Sequence, residues 1–170
     1  QQLNALKEKG IFHLKVAEVE NLFLTKEAVQ ILSQRFGADA DKTFSSINSY
    51  VSERFSKQAK KQISVALVAG VKEVLSGITI SDNEQLTANG IASLIDIASI
   101  EKNVNDRYQQ AIEDQDYNEI LGLFNDKSLA TSVGHYFGID NKIYVDRAIS
   151  LLESDLRDEL SEALRHYISH

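Results

Sequence analysis

Apolar residues recur along most of this chain at steps of three and four, the spacing that lays a single stripe along a helix. Residues 1–9 read as the end of a helix, with Leu3 and Leu6 on one side. Residues 27–36 predict a short amphipathic helix carrying Val29, Ile31, Leu32 and Phe36, closed by Gly37. From about Asp39 to Leu75 the stripe runs through Phe44, Ile47, Val51, Phe55, Ala59, Ile63, Leu67, Val71 and Val74. That predicts one long helix ending at Gly77, open to a break near residues 57–62, against a usual helix of about 11–12 residues. Residues 78–80 are β-prone, and Asp82-Asn83-Glu84 looks like a helix start. Residues 91–100 predict a buried helix, continued over 103–113 with Val104, Tyr108 and Ile112 inward. Asp114-Gln115-Asp116 breaks it, and 117–124 forms a short helix. Asn125 or Asp126 then caps a helix that holds Lys127 in its first turn and ends at Gly138. Two more helices follow, one opening at Asn141 or Lys142 with Ile143, Val145, Ala148, Ile149 and Leu152 for burial. The other covers 155–168, with Leu156, Leu160, Ala163, Leu164 and Tyr167 inward.

One stretch departs from this pattern. Ile11-Phe12-His13-Leu14-Lys15-Val16 alternates, so Phe12, Leu14 and Val16 can face a core while His13 and Lys15 face out. The run leads into Ala17-Glu18-Val19-Glu20-Asn21 and the triplet Leu22-Phe23-Leu24, with Thr25 placed to cap the next helix. A carboxylate just past the C-terminal end of a strand is where α/β folds often place ligand or metal groups. The plainer reading is an exposed turn in which Glu18, Glu20 and Asn21 are solvated or capping.

The run IFHLKVAEVENLFLT resembles the strand and Glu-Asn-Leu/Tyr-Leu signature of a TOPRIM-like domain family associated with ABC/AAA-type ATPases. That family is similar to the overcoming-lysogenization-defect nucleases of phage defence. Glu20 and Asn21 match the signature pair. A second block, Tyr117-Asn118-Glu119-Ile120-Leu121-Gly122-Leu123-Phe124-Asn125-Asp126-Lys127-Ser128-Leu129, resembles the Gly/Asn-x-Lys-x-Leu element of the family's helical part. The resemblance implies a metal-dependent DNA nuclease using Mg or Mn and working with an ATPase. It implies Glu20 as a metal ligand and catalytic residue. Lys127 would stabilise the charge that develops on the phosphate, a role suited to a compact cation.

The family pattern also needs an early glutamate and an Asp-x-Asp pair on preceding strands. Asp39-Ala40-Asp41 has that spacing but follows a helix and Gly37, so it reads as a cap. The expectation is therefore the C-terminal part of a longer protein, not a competent enzyme alone, with no cofactor held by this stretch. Its fold would be mainly α, a multi-helix domain with one or two short strands left from a TOPRIM-like α/β core. Residues 1–24 would be the edge of that core and 25–170 a helical domain.

Composition narrows this further. A chain of 170 residues with 43% apolar and 25% charged residues can build a real core. No proline interrupts the helices, and no cysteine is present for disulfides or thiolate metal sites. No run reaches the roughly 18 apolar residues of a membrane span, and the N-terminus lacks a signal pattern, so a cytoplasmic bacterial protein is the default. Neither a phosphate-binding Gly-rich loop with Lys-Ser/Thr nor a Gly-x-Ser-x-Gly elbow occurs. The net charge of −7 opposes a dominant nucleic-acid surface. Arg54, Lys57 and Lys61 share one helix face that could meet phosphates, though a solvated face is the favoured reading. His13, His135, His166 and His170 are too scattered to form a ligand set. The alternative function is a helical interaction or homodimerisation module without catalysis, with an exposed apolar stripe from Phe44 to Val74.

Overall fold

A computed structural model describes residues 13–76, 96–151, 154 and 157–169, and these are mainly helical. The expected elements at 1–9, 78–80 and 82–84, and residues 91–95 of the expected buried helix, lie outside the described residues. The chain divides into two compact units, one formed by residues 1–55 with 116–170 and the other by 56–115.

The first unit contains a two-residue strand, β1 (His13–Leu14), and a 3-10 turn, Val19–Leu24. Helix α1 (Lys26–Phe36) follows, ending where Gly37 turns left-handed with φ 72°. The Gly37 N–H donates to Gln34 O and the Ala38 N–H to Ser33 O, so the last carbonyls of α1 are satisfied. Thr25 does not cap by its side chain; its hydroxyl turns back and donates to Leu22 O at 2.8 Å. Asp39 does cap, accepting from the Lys42 N–H at 2.9 Å ahead of α2 (Ala40–Ser76). That helix is unbroken over 37 residues, including 57–62. Its stripe residues Ile47, Val51 and Phe55, four apart, are fully buried in this unit. They are core, not the exposed seam that a pairing module would show there. Each such burial stabilises by about 1.5–3 kcal/mol.

The second unit joins the rest of α2 to α3 (Ile97–Glu113), whose N-cap Asp96 accepts from Ser99 N. Tyr108 and Ala111 are its buried positions, and Val104 and Ile112 are half-buried. The two helices touch closely at one point: a Cβ built on Gly70 would lie 3.1 Å from Ile100 Cγ2. Ile97 and Ala98 are exposed, so the burial expected for that segment fails at its described end. The predicted break falls at Gln115, a non-glycine residue with φ 51°.

Back in the first unit, α4 (Tyr117–Leu123) is capped by Asp116. No α-helix runs from 127 to 137. A turn at Asp126 and two 3-10 turns, Ala130–Ser132 and Gly134–Phe137, take its place. Gly134 is required there because a Cβ would come within 2.8 Å of Asn141 Cα and Asp140 O. A third 3-10 turn, Asn141–Ile143, leads into α5 (Tyr144–Leu151). Ile143 and Ile149 are exposed, whereas Tyr144, absent from the expected core, is fully buried. Helix α6 (Arg157–Arg165) stops short of the expected 168, and Ile168–Ser169 forms β2. β2 pairs antiparallel with β1, His13 opposite Ser169 and Leu14 opposite Ile168.

Candidate functional site

The site is built where the two motif-bearing stretches meet inside the first unit. Past β1 the chain stays tied to its neighbours: Lys15 N donates to Tyr167 O at 2.8 Å, and Ala17 N to Leu121 O at 2.9 Å. The second bond needs close approach of the chain to α4. Gly122 permits it, since a Cβ there would lie 3.0 Å from Lys15 O. An extended Glu18 (φ −128°, ψ 142°) then starts the 3-10 turn, and Asn21 N donates to Glu18 O at 2.9 Å.

That turn presents its residues to different surroundings. Asn21 is 1% exposed, and its Nδ2 donates to Phe124 O at 3.2 Å. Its Oδ1 has no partner in the structure. Glu20, the next residue back, is half-buried, and Val19 is exposed. The carbonyls that close the turn are claimed by two buried tyrosines. Tyr144 Oη donates to Phe23 O at 2.7 Å, and Tyr117 Oη to Leu24 O at 2.8 Å. Burial pushes both phenols well above their ordinary pKa, so they remain donors.

The Phe124 carbonyl that receives Asn21 opens the turn holding Lys127. Asp126 Oδ1 accepts from Ser128 N at 3.0 Å and from Ser128 Oγ at 2.7 Å, a local Asx turn. Its other oxygen, Oδ2, meets Arg54 Nη2 at 2.7 Å. Arg54 also donates to Ser128 Oγ at 2.6 Å, to Ser132 Oγ at 3.2 Å and to Tyr50 Oη at 2.5 Å. Burial works against the Arg54 charge, but Tyr50 and Asp126 outweigh it and raise its pKa. Arg54 therefore latches the 126–132 segment onto α2.

This arrangement corrects one expectation and weakens an alternative that was not the favoured one. Lys127 stands in a turn and not in the first turn of an α-helix, so no helix dipole opposes it. Arg54 is spent on Asp126, Ser128 and Ser132, so the phosphate-facing row of Arg54, Lys57 and Lys61 loses its first member. Lys127 itself is exposed, flanked by a fixed Asp126 and a fixed Ser128. The two blocks are brought together by the Asn21, Ala17 and Tyr117 bonds. Glu20 and Lys127 thus lie on adjoining segments, Glu20 beside the Asn21 donor and Lys127 three residues past the Phe124 acceptor.

The described residues do not fit a complete metal centre. A Mg or Mn ion takes about six oxygen ligands, several from carboxylates, phosphates or water. Among the described residues no group of three His, Cys, Asp or Glu side chains converges. Glu20 is one carboxylate, Asp126 is engaged by Arg54, and Asp39 caps α2. His135 lies beside Asn141, with Nδ1 3.1 Å from Oδ1, and is exposed. Sequence reasoning missed the Arg54 latch and the close approach at Gly122. A glycine inside a helix pattern was the available signal for the latter. Among the described residues no helix is long and apolar enough to cross a membrane. The chain matches no protein-family model, no curated protein and no solved structure.

Proposed function

We propose that this chain is a helical part of a TOPRIM-like, metal-dependent nuclease that works with an ABC/AAA-type ATPase on DNA in the bacterial cytoplasm, in phage defence or DNA processing. The supporting observation is the docking of the two motif blocks through Asn21 Nδ2 to Phe124 O, at a separation of 103 residues in sequence. Two stretches singled out for one chemistry share one hydrogen-bonded core. In this reading Glu20 supplies one carboxylate to a site completed by residues outside the described set. Lys127 places its ammonium against the phosphate as negative charge builds on it, and contributes most in a water-poor site. Asp126 and Arg54 act as positioning residues that hold the turn beneath Lys127.

The test uses the native full-length product with its partner ATPase, supercoiled DNA and Mg or Mn. Lys127→Ala should abolish cleavage while leaving the melting temperature unchanged, because the side chain is exposed. Cleavage at the parental rate by Lys127→Ala removes the assignment.

A further inference from the structure

Among the described residues of the second unit, α2 carries exposed apolar side chains along one face. Val65 and Val68 on α2 are 48% and 53% exposed, and Leu75 is 44% exposed. Helical spacing puts Val65, Val68 and Leu75 on one side of α2, with Lys61 and Lys72 in the same row. Gly70, which abuts Ile100, lies on the opposite side, about 200° from its neighbours at two-residue steps. A cavity of about 460 Å³ lies against this face, and its described lining is Lys61, Ser64, Val65, Val68, Ala69 and Lys72. Local helix physics does not call for valine there, since a β-branched residue forms helix less well than alanine, lysine or glutamate.

Charge selects the occupant. The face reads Lys-x3-Val-x2-Val-x3-Lys, with one ammonium at each end of the apolar patch, about 16 Å apart along the axis at 1.5 Å per residue. Neither lysine has an ion-pair partner among the described residues. A second copy of this helix would set ammonium against ammonium in either direction: Lys61 on Lys72 when antiparallel, like on like when parallel. An opposing helix with carboxylates at both ends of an apolar pair would neutralise both lysines and cover the valines, while the lysine stems extend the apolar contact.

We propose that the Lys61–Lys72 face of α2 docks an acidic amphipathic helix of a partner protein, one whose face reads acidic-x3-apolar-x2-apolar-x3-acidic. The inference stands apart from the nuclease reading, which turns on Glu20 and Lys127.

The test is titration of the full chain with a fluorescent alanine-based peptide bearing Glu-x3-Leu-x2-Leu-x3-Glu, beside the same peptide with lysine for glutamate. The glutamate peptide should bind, and the lysine peptide at least about tenfold more weakly, a difference of about 1.4 kcal/mol. The Val65→Ala, Val68→Ala double variant raises helix propensity, so it should keep its melting temperature and still lose at least about tenfold in affinity. Equal binding of the two peptides, binding unchanged in the double variant, or no binding overturns the proposal. Self-association in sedimentation that disappears in the double variant overturns it too, by making a second copy the occupant.

Discussion

Replacing Arg54 by alanine tests the latch that holds the candidate site together. The guanidinium and the Asp126 carboxylate are only 23% and 14% exposed as side chains, and the contact is 2.7 Å. A solvent-exposed pair contributes about 0–1 kcal/mol, whereas breaking a fully buried one costs about 3–5 kcal/mol. The partial exposure places this pair between those limits. Three further hydrogen bonds, to Tyr50, Ser128 and Ser132, are lost with it. Asp126 keeps its two bonds from Ser128, which limits the penalty for leaving it unpaired. The net expectation is about 2 kcal/mol of destabilisation for Arg54→Ala.

Urea unfolding followed by tyrosine fluorescence reads this directly. With a slope near 2 kcal/mol per molar urea, the midpoint should fall by about 1 M at unchanged slope. A double-mutant cycle with Asp126→Ala should show a coupling of about 1 kcal/mol or more. Amide exchange at Ser128 and Ser132 should accelerate in Arg54→Ala, because the segment loses its attachment to α2. A loss below about 0.5 kcal/mol, with the two substitutions additive, would refute the latch.

Three other outcomes follow from the same geometry. Asn21→Asp removes the donor to Phe124 O and buries a carboxylate at a position 1% exposed, so thermal unfolding should report a loss of about 3 kcal/mol or more. Gly134→Ala should cost about 3 kcal/mol, more than Gly122→Ala, because its Cβ meets backbone atoms at 2.8 Å, where Gly122 meets one at 3.0 Å; denaturant midpoints rank the two. Tyr117 and Tyr144 have folded-state pKa values raised above the unfolded value near 10, so their contribution is complete below pH 10. Above that pH only the unfolded chain ionises them, and stability should fall by about 2.7 kcal/mol per pH unit for the pair. Absorbance at the phenolate band should show these two titrating together with loss of helix.

Local pattern carried much of the helical architecture. The α1 stripe with Gly37, the cap at Asp39, the unbroken run to Ser76 and the break before Tyr117 all follow from periodicity and end chemistry. The segment after Phe124 did not follow. Its Asp, Ser and Asn side chains bond the nearby backbone, and Arg54 pulls it onto α2, so 3-10 turns replace the expected helix. Tyr144 was overlooked because its burial depends on a carbonyl 121 residues away at Phe23. Ile168 left its helix to pair with Leu14, again a long-range choice that helical periodicity does not encode. Glu20 was singled out as a carboxylate past a strand end and by resemblance, and the role of Lys127 by resemblance. The docking of their two segments rests on contacts such as Ala17 to Leu121, which no local spacing predicts.

The most direct measurement of that docking is the scalar coupling across the hydrogen bond from Ala17 N to Leu121 C′ in the isotope-labelled protein, with the exchange rate of the Ala17 amide. A detectable coupling, a protected Ala17 amide and a contact between Lys15 and the Gly122 α-protons are the expected result. An Ala17 amide that exchanges as fast as an unstructured one, with no coupling to Leu121, would separate the two motif blocks. The docking of the segments that carry Glu20 and Lys127 would then fall with it.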